Sequence, residues 1–222
     1  MQISAPITFA KGYIADPYWP EMEKRINIEK ESGMRRTRSG DKAQKALRDY
    51  LNAKGLTIDD YEKICERAER PFYTVGDTGA EPGPLGVSEI VIPAHHLYGT
   101  FAQAADMASS SIRIARPEQL RSVLSVQDVF TGKTKGDGVF SRFVVVKAGA
   151  GQKLSNQRSL RENDFLGPFS AQLTVEFDEE ALRPERVRDF VSFAGREIGV
   201  GASRKLGWGR FTTNWKSKAE AA

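Results

Sequence analysis

The segment GVGASRKLGWGRF, residues 199–211, gathers four glycines, two arginines, a lysine and a tryptophan near the end of the chain. Glycine lets backbone amides approach a ligand closely and tolerates positive φ. Gly199, Gly201, Gly207 and Gly209 could therefore turn N–H groups toward phosphate oxygens. Ser203, Arg204, Lys205 and Arg210 would add a hydroxyl and cationic donors suited to a phosphate chain. Trp208 would supply a flat face on which a base stacks. The competing reading is structural: a helix-to-strand connection whose charges are solvated. Two familiar phosphate loops are excluded. There is no G-x-x-x-x-G-K-[ST], and Arg204 stands where a dinucleotide loop of the form G-x-G-x-x-G needs its last glycine. No cofactor and no metal are expected.

A second candidate is the pair His95 and His96, the only histidines of the chain. Imidazole titrates near neutral pH and can take a proton from a ribose 2′-hydroxyl, which would make either residue the general base of a metal-independent ribonuclease. It can equally contact RNA without chemistry, or pack at a helix start. Neighbouring helical residues point about 100° apart, so the two are not expected to serve one site. Asp16, in the loop after the first strand, reads as the turn starter of Asp-Pro. Further cationic candidates are Arg35, Arg36 and Arg38 in RRTR, and Lys153, Arg158 and Arg161 in a polar stretch. Trp19 and Trp215 read as packing residues. The single cysteine, Cys65, reads as a small core residue and rules out an internal disulfide.

The elements that must position these residues follow from periodicity. MQISAPITFA alternates as a half-buried strand. Residues 16–40 read as a long loop. DKAQKALRDYLNAKG and the stretch from Thr57 to Ala68 read as two helices, the first stopped by Gly55 and the second opened by a Thr57–Asp60 capping box. VSEIVIP is a strand, and AHHLYGTFAQAADMAS a helix burying Leu97, Phe101, Ala104, Ala105 and Ala108. VFSRFVVVK and FSAQLTVEF are strands, with a connector at 148–164 between them. PERVRDFVSFAGREIG is a helix with Val187, Phe190, Val191, Ala194 and Ile198 inward, and GRFTTNWK is the last strand. This order predicts an α+β fold with an antiparallel preference.

The 222 residues carry a net charge of +4, with 40% apolar and 28% charged side chains. That composition is globular, and its mild basicity permits a nucleic-acid partner without requiring one. The first residues have no basic segment followed by an apolar run, and no stretch is apolar enough to span a membrane, so a cytoplasmic location is expected.

Two segments together, VIPAHHLYGTFAQA and, about 100 residues later, GVGASRKLGWGRF, resemble the RAMP superfamily of CRISPR-associated RNA-binding proteins. The first corresponds to a strand entering Ile-Pro-(small)-Ser-Ser-Leu-Lys-Gly and a helix. It departs from that pattern at His95, His96 and Tyr98. The second follows Gly-x-Gly-(small)-x-Arg-x-x-Gly-(aromatic)-Gly across residues 199–209. The resemblance implies one RAMP-like domain over residues 1–222, a ferredoxin-like, RRM-type core with an antiparallel sheet, and an inserted helical hairpin at about 16–70. It also implies a protein that holds single-stranded RNA along its backbone, most like the guide-RNA backbone subunits of effector complexes. The first functional reading is a non-catalytic binder of single-stranded RNA or DNA whose copies assemble head to tail, or with other effector subunits, on the strand. The alternatives are an endoribonuclease using His95 or His96, and a protein–protein scaffold with a structural glycine loop. For Asp16 the resemblance implies a second reading, since an acidic residue in a comparable loop supports metal-dependent cleavage in the family's target-cleaving backbone subunits.

Overall fold

The structure is a computed structural model, and it describes residues 1–15, 20–34, 39–69, 72–145 and 158–215. They form two compact units: residues 1–15 with 72–222, and residues 16–71.

In the larger unit, β1 (Gln2–Phe9) is followed by β2 (Tyr13–Ile14). After residue 71 come β3 (Tyr73–Thr74), α4 (Val75–Thr78), β4 (Ile90–Ile92), α5 (Ala94–Met107), α6 (Leu120–Val123), β5 (Leu124–Val126) and β6 (Val129–Phe130). Then follow β7 (Gly138–Val145), β8 (Arg158–Leu166), β9 (Phe169–Phe177), α7 (Pro184–Phe193) and β10 (Thr212–Thr213). The main sheet runs β10-β1-β9-β5 with every neighbouring pair antiparallel. In chain order these are the fourth, first, third and second strands, with α5 joining the first to the second and α7 the third to the fourth. That is the ferredoxin-like arrangement of two interlocked βαβ units, and the fold is α+β as expected.

The alternation in β1 sets which face is covered. Ile3, Ala5, Ile7 and Phe9 are buried, while Ser4 and Thr8 face outward and exchange hydrogen bonds with Thr174 (3.0 Å) and Ser170 (3.1 Å). The inner face packs on Leu97, Phe101, Ala104 and Ala105 of α5 and on Val187, Phe190 and Val191 of α7. Burying each large aliphatic or aromatic side chain stabilises the fold by about 1.5–3 kcal/mol. The outer face of β1 and β9 presents Ser4, Thr8, Ser170 and Gln172. No aromatic ring stands among these four residues.

Two smaller sheets complete this unit, in the orders β2-β8-β7 and β3-β4-β6. The first corrects the expectation of a connector up to residue 164. β8 begins at Arg158 and pairs with β7 from Arg158↔Val145 to Phe165↔Gly138. Glu162, Asn163 and Asp164 make this strand polar, which hid it from a reading based on apolar alternation. The last strand is only two residues long, shorter than expected. β2, β3, β5 and β6 span two or three residues each, too short to show a period.

The unit of residues 16–71 holds α1 (Pro20–Glu31), α2 (Gly40–Ala53) and α3 (Ile58–Glu69). Three helices stand where a long loop and a helical hairpin were expected. α1 escapes notice because it is strongly polar. Its Ile28 nevertheless packs with Leu47, Leu51 and Tyr61, and its buried Glu29 accepts hydrogen bonds from Arg25 (2.8 Å) and Tyr61 (3.3 Å). The box at the start of α3 is formed: the Thr57 N–H donates to Asp60 Oδ2 at 2.9 Å, and the Asp60 N–H to Thr57 Oγ1 at 3.1 Å. Cys65 packs against the small core of this unit. No helix among the described residues is long and apolar enough to cross a membrane.

Candidate nucleic-acid interface

α7 leaves its helical path through a π turn, Ala194–Ile198, where the Phe211 N–H donates to Gly195 O at 3.0 Å. The glycine loop starts there. It folds on itself, with Val200 N–H donating to Gly209 O at 2.9 Å. It also docks on β2 and the turn before it, through Ala202 N–H to Ile14 O (3.0 Å) and Gly209 N–H to Gly12 O (2.8 Å). Three glycines of the loop are required by this packing, Gly199 among them, whose Cβ would lie 2.8 Å from Gly209 C and O. A Cβ on Gly209 would lie 1.7 Å from Val200 O, and one on Gly201 2.4 Å from both Ile14 O and the Tyr13 ring.

This modifies the expected phosphate cradle. The amides of Gly199, Val200, Ala202, Leu206, Gly207 and Gly209 already serve backbone carbonyls. Those of Gly201 and Ser203 have no acceptor among the described residues. Ser203 holds a left-handed φ of 58°, alone among the described non-glycine residues, and its buried Oγ has no partner among them.

The two sequence signatures meet in space. Thr100 Oγ1 on α5 donates to Gly199 O at 2.9 Å, and Arg204 Nη1 donates to Gln103 Oε1 at 3.0 Å. Arg204 is thus a brace between loop and helix.

Trp208 does not present the expected stacking face. It is only 8% exposed, with the rings of Phe140 and Phe165 each 5.3 Å away and the Lys11 ammonium 5.4 Å from its centroid. Its neighbours already occupy the space a base would need.

The cations that remain open are Lys205 and Arg210, both exposed. Neither has a carboxylate partner among the described residues. Lys11 joins them, its Nζ donating to Leu206 O at 2.7 Å. Sequence reading missed Lys11 because it belongs to no motif. The available signal was its place beside Gly12, in the turn between two strands.

His95 and His96 are closer than their helical azimuths suggested. Their ring centroids are 4.5 Å apart at 76°, and the Tyr73 ring stands edge-on to both at 5.5 Å. The two histidines therefore belong to one cluster, because Tyr73 at the end of its strand gathers both rings. His95 is exposed. Trp215 packs as expected, its Nε1 donating to Ser192 Oγ at 3.0 Å. Asp16, Trp19, Arg35, Arg36, Arg38 and Lys153 lie outside the described residues, as do the side chains of Arg158 and Arg161 on β8. No group of three metal-ligating side chains occurs among the described residues.

No family model matches the chain, and no curated protein matches it. Solved structures do. A chain in the cryo-EM structure of the type III-B Cmr-beta complex bound to cognate target RNA aligns at 9% identity and a TM-score of 0.44, over 96% of this chain and 58% of that one. This protein thus spans under two thirds of that chain's length. Cmr6 from Pyrococcus furiosus aligns at 11% identity and a TM-score of 0.33, over 96% of this chain and 98% of its own. A chain of a CRISPR RNA-guided surveillance complex, pre-nicking, aligns at 13% identity and a TM-score of 0.30, over 96% of this chain and 73% of its own.

Proposed function

We propose that this protein binds single-stranded nucleic acid, RNA by the family resemblance of its two signatures, along the phosphate backbone and without cleaving it. One observation carries the reading. Lys205 and Arg210 stand exposed, without acidic partners among the described residues, on a loop whose backbone is fixed by its own hydrogen bonds, with the Lys11 ammonium bonded to the same loop. Cations held on a rigid backbone lose little freedom on meeting a phosphate, whereas a solvated charge run would be loose. The helical unit of residues 16–71 is an insertion into the RAMP-like domain, and copies of the chain assemble along the strand.

The test is a Lys11→Ala/Lys205→Ala/Arg210→Ala triple variant, titrated with fluorescent single-stranded RNA of mixed sequence at several salt concentrations. Each phosphate contact on a single strand contributes a slope of about −0.7 in log K against log salt. The expected result is weaker binding to all sequences alike, with the slope flattened by about 2. Unchanged affinity in a folded variant would overturn the reading.

The cluster of His95, His96 and Tyr73 supports a second reading, a metal-independent endoribonuclease. It requires RNA cleavage in EDTA that disappears in both His95→Ala and His96→Ala.

A further inference from the structure

At the start of α5 lies a cleft of about 530 Å³ whose walls include Tyr73, Asp77, His95, Tyr98, Arg121 and Asp128. Its polar groups are held in place yet only partly used. Tyr98 is fixed by its hydroxyl, which donates to Leu124 O at 2.9 Å, and the exposed Arg121 guanidinium lies over its ring at 5.1 Å. A guanidinium over a ring face keeps N–H groups that can hold a phosphate in a two-point fork. Arg121 has no hydrogen-bonded or carboxylate partner among the described residues. Asp128 Oδ1 accepts the Ala94 N–H at 2.7 Å. That bond already satisfies the first amide of the helix, so the helix end is not what would hold a ligand. The other Asp128 oxygen has no partner among the described residues. His95 and Tyr98, two of the three positions at which the first signature departs from its family pattern, both face this space.

We infer that this cleft is a nucleotide-binding subsite. The phosphate sits on Arg121 beside His95, the base lies against the tyrosine wall, and Asp128 accepts a hydrogen bond from the base edge. The choice of a nucleotide as ligand rests on the nucleic-acid reading above. The cleft is lined by no residue of the glycine loop, which meets α5 at Thr100 and Gln103, six and nine residues and about 9 and 14 Å along the helix from Ala94. Asp128 also gives it a preference. A carboxylate accepts readily from the exocyclic amino group of adenine. Uracil's N3–H is flanked by two carbonyl oxygens that repel a carboxylate.

The experiment titrates 5′-AMP and 5′-UMP into the full chain, followed by amide chemical shifts, beside a fluorescent 12-nucleotide RNA. AMP is expected to bind at least fivefold tighter than UMP. Arg121→Gln should weaken both by tenfold or more. Asp128→Asn, whose amide oxygen can still accept from Ala94, should abolish the preference while the fold persists. No AMP binding, or AMP affinity within twofold of wild type in Arg121→Gln, overturns the subsite. A Lys205→Ala/Arg210→Ala variant separates the two proposals, since it should lose the 12-mer and keep AMP. If the wild-type chain binds AMP but no 12-mer, the subsite stands and the backbone-binding reading falls. If it binds the 12-mer but not AMP, the reverse holds.

Discussion

Thr100 Oγ1 donates to Gly199 O at 2.9 Å, joining the middle of α5 to the first residue of the glycine loop across 99 positions of sequence. Both groups are buried at this bond, and the contact ties the two signature segments into one structure. It also fixes where the loop leaves α7, and hence where Lys205 and Arg210 stand.

Thr100→Val keeps the shape of the side chain and removes the donor. A buried carbonyl left short of a donor costs about 1–3 kcal/mol. The cost should fall toward the lower end, because Arg204 Nη1 also reaches Gly199 O at 3.5 Å. Urea denaturation should show a lower midpoint with an unchanged slope, and Thr100→Ser should recover most of the loss.

The glycines of the loop are not equivalent. Gly209→Ala would drive a methyl group to 1.7 Å from Val200 O at a φ of 68°, so it should unfold the loop or abolish soluble expression. Gly207→Ala has a similar φ of 87°, but the nearest atom is Lys11 Cδ at 3.8 Å. It should cost only the backbone strain, about 1–2 kcal/mol. Thermal denaturation of the two variants side by side checks the contrast. Equal losses would mean that the loop does not fold on itself as described.

Trp208 is expected to act on stability first. Its ring fills the space between Phe140 and Phe165, so Trp208→Ala should cost about 3–5 kcal/mol of folding free energy. A stacking platform would instead lose RNA affinity with little change in stability. Denaturation midpoints and RNA titrations on the same preparation decide between these.

The sequence made the scaffold legible where the chain repeats a rule. The alternation of Ile3, Ala5, Ile7 and Phe9, and the stripe of Val187, Phe190 and Val191, placed the central strand and the helix behind it correctly. It failed where local composition and tertiary role diverge. α1 is polar along its length and is held by Ile28 and Glu29, and β8 is polar and is held by its ladder to β7. For the site, the loop's position was legible in its glycines, but their purpose was not. Gly209 and Gly201 serve contacts to Val200 and Ile14, which no spacing within the loop reveals. The same holds for Trp208, whose partners come from β7 and β8, and for the histidines, which Tyr73 draws together from another strand.

Asp164 offers a test of the polar strand β8. Burial raises its carboxyl above the ordinary carboxylate range. The sign of its effect on folding follows. Below the unfolded value the group is protonated in both states and does not oppose folding. As pH rises through the folded value, the folded state must carry a charge that its surroundings disfavour, and stability falls. Asp164→Asn removes that ionisation while keeping a side chain of the same shape on the strand, in register with Val139 of β7. The variant should therefore melt at a higher temperature than the wild type at pH 7. The difference should shrink as the pH is lowered and vanish once the carboxyl is protonated in the unfolded chain as well, below about pH 4. Thermal melts of both proteins from pH 3.5 to 8 check this. A constant difference across that range would show that the substitution acts through packing, and a lower melting temperature at pH 7 would show that the ionised Asp164 is stabilised by a partner.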